Sequence, residues 1–545
     1  MTTPSQGDVR PRMLLLAFLI GAVAYGLAWL LPFAADARPA AAAAVLGTTA
    51  LVTSLWLTGA MPIGAASLVP VVLLPLSGAV PMQDVVRGYG HPILWLFGGG
   101  FVLAQAIETW GLHRRLALTV LRWVGPHPRR IVLGFFLVAT VVSLWISNTS
   151  VALMLLPIGW AIVDRTVAAE VLPKAAARNF AAGVMLAIAY GASIGGMGSP
   201  IGTAPNALFL GNYAGLVQRG APPISFLQWL LAFAPFALLL SWLFGALMAR
   251  WILPIPGGRL AGGDELVREA RTQPPMSRPE RRVAWLFAAA VLLWVTRGDV
   301  QLGDGAVIRG WAHWLLPEGA SGTFVPDGVV AIGVAITAFL IPSGVAAAGE
   351  GGAGGDAGAA GGSPSRGQAD RRPRLMDWET ARQLPFDILF LLGAGIAMAD
   401  AFAPTGLSLA FGALLAPLIG SVPPLLLVAI LCFAILLLSE VASNTAVAAL
   451  FLPILMQGAL AAHLDPRVLM LPAALAASCG FMLPIATPPN TIVFASRHVT
   501  IGQMARAGFA LDLVSIGLLI VVLWFWVFPL LGIDPGVEPA WLQPK

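Results

Sequence analysis

Residues 143–158 read SLWISNTSVALMLLPI, and residues 439–454 read SEVASNTAVAALFLPI. Nine of these sixteen aligned positions are identical, including the Ser-Asn-Thr triplet and the closing Pro-Ile, at an offset of 443 − 147 = 296. Two further blocks recur around them. LWLFGGGFVLAQAIETWGL (94–112) matches LFLLGAGIAMADAFAPTGL (389–407) at an offset of 295, and GMGSPIGTAPN (196–206) matches GFMLPIATPPN (480–490) at 284. One block alone would carry little, because apolar sequence matches apolar sequence easily. Three in the same order at nearly constant spacing make an internal repeat.

The rest of the chain says where such a repeat would sit. Of 545 residues, 58% are hydrophobic and 10% charged, and the mean hydropathy is +0.84. A soluble domain carries about 25% charged residues, so a water-soluble globule is excluded. A helix needs about 20 apolar residues to cross a bilayer. Candidate spans lie near 13–34, 41–58, 62–80, 131–163, 179–195, 226–253, 283–296, 326–342, 408–438, 446–462 and 508–532. Shorter segments broken or bounded by Gly or Pro lie near 93–107, 387–403 and 468–485. The fold class is therefore an all-α polytopic membrane protein. The net charge of +5 comes largely from Arg placed between apolar runs, which flanks membranes and gives nucleic-acid binding no support. Arg10 and Arg12 precede the first span and predict a cytoplasmic N-terminus; that span reads as retained, not as a signal peptide. Arg259, Arg268, Arg271, Arg278, Arg281 and Arg282 mark residues 255–282 as a cytoplasmic-side segment. Residues 344–370, rich in Gly and Ala, cannot bury a core and predict a flexible loop between two halves.

Many carriers are built from two repeats, often inverted, whose Gly- or Pro-broken segments meet near the bilayer midplane. Pro157, Pro453, Gly98–Gly100, Gly393–Gly395 and the two Thr-x-Pro-Asn segments are such breaks. Irregular backbone at membrane depth is tolerated only where protein buries it or it lines a cavity. Ser147, Asn148 and Thr149, with Ser443, Asn444 and Thr445, put polar side chains in a row within apolar surroundings. A single triplet would be interhelical glue, common for these residues in membranes. Two at equivalent positions favour a binding site, because successive side chains diverge by about 100° on a regular helix and converge only where it is unwound. Thr203-Ala204-Pro205-Asn206 and Thr487-Pro488-Pro489-Asn490 read likewise as site segments rather than simple turns. Ser143 and Ser439, one helical turn before the triplets, fit either a bond back to their own helix or a cation ligand.

The acids Glu108, Asp400 and Glu440 do not occupy matching repeat positions and are expected to be structural or interfacial, Glu440 being the one that borders a triplet. Cys432 and Cys479 are the only cysteines, and the six histidines show no metal spacing. No nucleophile–base pair or phosphate loop is visible. An enzyme or receptor lacks support on these residues; a carrier needs only hydrogen-bonding oxygens and amides, which the repeated blocks supply. A sodium/proton antiporter would be expected to hold Asp or Glu in its breaks, where this chain has Asn and Thr.

With these motifs in hand, the sequence resembles the divalent anion:sodium symporter family. The carrying residues are Ser147-Asn148-Thr149, Ser443-Asn444-Thr445, Gly202-Thr203-Ala204-Pro205-Asn206 and Ala486-Thr487-Pro488-Pro489-Asn490, and the likeness covers roughly residues 60–532. FGGGFVLAQAIETWGL and LGAGIAMADAFAPTGLS resemble the family's two re-entrant hairpins. The departures are the 344–370 loop and Ala204, where a second proline is usual. The resemblance implies about eleven membrane helices plus two hairpins, an inverted repeat, a dimerising scaffold and an elevator-type transport domain. On this chain it implies scaffold helices at 1–80 and 226–343, transport parts at 81–225 and 376–507, the loop at 344–375 and a last helix at 508–545. It implies substrate contacts at Asn148, Thr149, Thr203, Asn444, Thr445, Thr487 and Pro488. One sodium site is implied at Ser143, Ser147, Asn148 and Gly202, and a second at Ser439, Ala442, Asn444 and Ala486. The implied activity is uptake of C4-dicarboxylates such as succinate, fumarate and malate across the plasma membrane, with sodium as coupling ion and no cofactor. A sodium-independent exchanger, or a carrier of citrate or sulfate, is the alternative.

Overall fold

The computed structural model describes residues 11–34, 37–113, 115, 119, 125, 127–168, 172–258, 274–301, 307–315, 324–344 and 373–542. The Gly/Ala loop beyond Gly344, together with Arg259, Arg268 and Arg271, lies outside these residues. Apart from the two-residue antiparallel strands Val300–Gln301 and Val307–Ile308, the described residues form helices and turns. Nine helices among them are long and apolar enough to cross a bilayer, from Pro11–Ala28 to Ile501–Leu530. Five shorter apolar helices accompany these, including Asn148–Asp164, Asp327–Leu340 and Arg467–Ala476. This is an all-α polytopic membrane protein.

The expected breaks at Pro157, Pro453, Gly98–Gly100 and Gly393–Gly395 lie inside continuous helices, while two expected single spans are broken. The apolar run 131–163 is two helices, Pro128–Ser143 and Asn148–Ala168, separated by Leu144–Ser147. The run 408–438 is also two, Leu407–Ser421 and Pro424–Val441. Hydropathy cannot see either break, because no charge marks it; proline supplies the second, since Pro423 cannot continue a helix from Val422. Other starts follow local capping chemistry. Ser225 with Gln228, Ser277 with Glu280 and Thr500 with Gln503 each form a reciprocal cap at the head of a helix.

The chain divides into two compact units. One comprises Met1–Leu94, Ala117–Arg271 and Pro385–Lys545; the other comprises Trp95–Leu116 and Thr272–Leu384. In the second unit Gly99 lies against the backbone of Ala331 with no space for a Cβ. There Arg297 reaches Asp327 at 2.5 Å and Trp110 donates to the Leu375 carbonyl at 2.8 Å. The first unit holds both Ser-Asn-Thr triplets and both Thr-x-Pro-Asn segments. Its centre is the helix Lys174–Met197, buried throughout its apolar stretch. Glycines let it sit that deep: a Cβ on Gly191 would lie 2.7 Å from the Phe136 carbonyl of Pro128–Ser143. Close approach through small residues is how helices associate where lipid supplies no hydrophobic drive.

Candidate functional site

Each triplet sits at the head of a helix that restarts after a break. In the first repeat Ser143 closes one helix and Asn148 opens the next. The Ser143 hydroxyl lies 2.8 Å from Asn148 Oδ1 and 3.4 Å from the Ile146 carbonyl. Ser147 accepts the Ser150 amide at 3.3 Å and donates to the Ser150 hydroxyl at 3.0 Å, capping the new helix. In the second repeat Val441 ends a helix, Ala442 is extended, and Asn444 begins the next. The Ser439 hydroxyl lies 2.7 Å from Asn444 Oδ1 and 2.5 Å from the Ala477 carbonyl. The same serine–asparagine couple is therefore built twice, five residues apart in each copy.

The Thr-x-Pro-Asn segments repeat as faithfully. Asn206 Nδ2 donates to the carbonyls of Gly196 (3.0 Å) and Ser199 (2.8 Å). Asn490 Nδ2 donates to the carbonyls of Gly480 (3.3 Å) and Leu483 (3.0 Å). Donors and acceptors all differ by 284, the offset of the sequence block. These amides tie the loosened chain that follows Lys174–Met197 and Arg467–Ala476 to the helices restarting at Ala204 and Pro488. Both Oδ1 atoms are buried without a partner among the described residues. Thr203 and Thr487 occupy the N-cap positions; Thr487 accepts the Asn490 amide at 3.3 Å.

Two glycines bind these parts into one site. A Cβ on Gly196 would fall 2.5 Å from Asn148 Oδ1, and one on Gly202 would fall 2.5 Å from the Gly196 carbonyl. In the second repeat a Cβ on Gly480 would sit 3.1 Å from the Ser439 carbonyl, 3.2 Å from Ala486 Cβ and 3.5 Å from Asn444 Oδ1. Ser143, Asn148 and Gly202 thus converge through Gly196, and Ser439, Asn444 and Ala486 through Gly480. Gly196 and Gly480 were not among the expected site residues. Their identical place in the third block, ten residues before the asparagine, is the signal that marks them.

The copies are also interlocked. The first Ser-Asn-Thr helix, Asn148–Ala168, packs against Pro488–Ala495 of the second repeat, while Asn444–Ala461 packs against Ala204–Val217 of the first. Cys479 Sγ and Met197 Sδ, 3.9 Å apart, mark where the two repeats meet. Thr149 and Thr445 lie in the first turns of their helices and are half-buried, as are Ser147, Asn148, Thr203, Ala442 and Asn444. Thr487, Gly202 and Ala486 are buried and Pro488 is exposed.

Chemically, the breaks present hydroxyl, carboxamide and carbonyl oxygens at mutual hydrogen-bonding range, beside helix N-termini whose first-turn amides have no partner within their own helix apart from those that Ser147 and Thr487 cap. Neutral oxygens suit a hard monovalent cation, and free amides suit an anion. Glu440 is not part of this set. It is buried and bonds three backbone amides, Phe481 and Met482 through Oε1 (2.6 and 2.8 Å) and Leu483 through Oε2 (3.0 Å). That is the structural role expected of it.

Fold and site define a polytopic membrane protein with a duplicated core broken at matching helices. The chain belongs to the family described as the sodium:sulfate symporter transmembrane region, which it matches over residues 12–533. That is the family its repeated motifs resemble, and it places the chain among transporters rather than enzymes. It is 34% identical over 494 residues to the sodium-dependent dicarboxylate transporter SdcS of Staphylococcus saprophyticus, covering 90% of this chain and 87% of that one. It is 35% identical over 500 residues to SdcS of Staphylococcus aureus, with the same coverage. In fold it is similar to the YdaH transporter of Alcanivorax borkumensis, with a TM-score of 0.54 at 13% identity over 95% of this chain and 98% of that one. It is similar also to MtrF of Neisseria gonorrhoeae, at 0.52 and 14% over 82% and 84%.

Proposed function

We propose that the protein is a secondary active transporter that imports C4-dicarboxylates, the succinate, fumarate and malate class, together with sodium. One observation carries the reading: two equivalent helix breaks, each a serine hydroxyl set on an asparagine carboxamide, in blocks without a cationic side chain. No Arg or Lys occurs in 131–163, 191–209, 439–462 or 480–495. A dianion taken from water must still be neutralised, since an unpaired charge in a low-dielectric site costs several kcal/mol or more. Helix N-termini each contribute only about 0.3–2 kcal/mol. The countercharge therefore comes from solution, as a cation on the neutral oxygens of the breaks.

In this reading one sodium is held by Ser143, Ser147, Asn148 and Gly202, and a second by Ser439, Ala442, Asn444 and Ala486. The substrate carboxylates lie on Asn148, Thr149, Thr203, Asn444, Thr445, Thr487 and Pro488. Each asparagine touches both cargoes, so cation and anion stabilise one another and move together. The printed names of the SdcS relatives support the substrate class and the coupling ion. The same reading places the chain in the plasma membrane as a homodimer, N-terminus cytoplasmic, moving its substrate by an elevator stroke. Purified protein in liposomes should accumulate labelled succinate when sodium is high on one side. Equal uptake with sodium replaced by choline would overturn the coupling and leave an exchanger; no uptake of succinate alongside uptake of sulfate or citrate would change the substrate class.

A further inference from the structure

The long helix that follows each Thr-x-Pro-Asn segment ends in the same unusual way. Phe226–Leu247 and Ile501–Val522 both start on a reciprocal cap and both run into a π turn, Met248–Ile252 and Leu523–Val527, at an offset of 523 − 248 = 275. Trp251 and Trp526 match at that offset, as do Pro254 and Pro529, which stop the winding. A guanidinium fastens the chain beyond each turn. Arg129 donates to the Ile255 carbonyl at 2.5 Å, and Arg467 donates to the Leu531 carbonyl at 3.0 Å.

Built alike, the two ends differ in charge. At the second, Arg467 is buried against Asp465 at 2.7 Å and His463 meets Glu538 at 2.6 Å. At the first, Asn179 donates to the Pro254 carbonyl at 3.1 Å, and a Cβ on Gly257 would lie 3.4 Å from Arg129 Nη1. The heads of Pro128–Ser143 and Lys174–Met197 are thereby pinned to the end of Phe226–Ile252. Around that junction Arg130, Lys174, Arg178 and Arg250 are exposed, and among the described residues none of them has an ion pair or side-chain hydrogen bond. The three elements contain no acid. Asn148–Ala168, packed beside them, brings the exposed Asp164, which pairs with none of the four. Two of the helices begin here without a side-chain cap, so the positive ends of their dipoles add to the cations. Folding does not demand this, since the equivalent end closes on paired charges. The copies diverge in charge elsewhere too, as at Glu440 opposite Leu144.

We infer that this end of the first repeat binds the headgroup of an anionic phospholipid, with Arg130, Lys174, Arg178 and Arg250 as cations for its phosphate. Trp251, 78% exposed beside Arg250, supplies the interfacial ring that such a headgroup lies against. A zwitterionic headgroup brings an ammonium group towards the same cations and is disfavoured. Basic flanks also set membrane orientation, but orientation depends on the number of charges and does not require them gathered at one pinned junction. The bound lipid bridges three helix ends, two of which lead into the breaks of the first repeat.

Native mass spectrometry of the full-length protein, released from mixed phosphatidylcholine and phosphatidylglycerol, tests the site. The wild type should retain phosphatidylglycerol severalfold better than phosphatidylcholine, and phosphatidylglycerol should raise its thermal unfolding midpoint. The triple variant Arg130→Gln, Lys174→Gln, Arg178→Gln leaves Arg129 on its carbonyl and should lose both effects. If that variant does not reach the membrane, Arg178→Gln alone should show a smaller loss of both. Equal retention of phosphatidylglycerol by wild type and variant overturns the site. So does equal retention of the two lipids by the wild type, which leaves the charges to orientation alone. Displacement of the lipid by excess inorganic phosphate would make the ligand a free anion and overturn the lipid site as well. Neither readout depends on which solute the protein carries.

Discussion

Asn148 and Asn444 each hold Oδ1 against a serine hydroxyl, which fixes the plane of the carboxamide. A membrane hydrogen bond of this kind is worth only about 0.6–2 kcal/mol, so its loss does not unfold a protein with this much buried helix. Asn148→Ala and Asn444→Ala should therefore reach the membrane at near-normal levels and show background uptake in liposomes; normal uptake by both would return the triplets to the role of packing glue. Ser143→Ala and Ser439→Ala should raise the sodium needed for half-maximal uptake more than the succinate needed. Ala204 tests the anion side. As the first residue of its helix it carries an N–H that Pro488 lacks, and Thr203, at φ −147° and ψ 150°, already has the backbone a following proline requires. Ala204→Pro should fold normally and weaken succinate binding severalfold, seen as a raised half-saturation constant at saturating sodium. An unchanged constant would mean that this amide does not face the anion.

The elements were legible in unequal measure. The repeat, the triplets and the restarting Pro-Asn helices could be read from sequence because each leaves a polar or proline mark in apolar surroundings. The breaks at Leu144–Ser147 and Val422–Pro423 were hidden inside continuous hydropathy. So was the job of Gly196 and Gly480, since a glycine's role depends on what lies across from it, and that is a tertiary fact. The contact distances make the two glycines unequal. Gly196→Ala places a methyl 2.5 Å from Asn148 Oδ1, whereas Gly480→Ala meets the Ser439 carbonyl and Ala486 Cβ at 3.1 and 3.2 Å. The first should abolish sodium-dependent uptake, and the second should lower it only a few-fold. The reverse order in a transport assay would show that the breaks bear unequal loads in a way these distances do not capture.

At the scale of the molecule, the two halves meet in sequence across the Gly/Ala loop, which by composition adds no buried apolar surface. Replacing residues 346–368 with a short flexible linker should leave succinate uptake largely intact, since closing a shorter loop changes the free energy by only about 0.6 kcal/mol per twofold change in length. Lost uptake with intact expression would assign the loop a task of its own. The crossed packing of Asn148–Ala168 on Pro488–Ala495, and of Asn444–Ala461 on Ala204–Val217, has a bearing on descent. In both pairs the triplet helix of one half lies against the Thr-x-Pro-Asn helix of the other. A forebear of half this length could hold one such serine–asparagine cluster by itself, but it would need a second copy to make the crossed packing. Joining the two copies in one chain then freed them to diverge, and an acid could settle in one half with a leucine opposite it in the other.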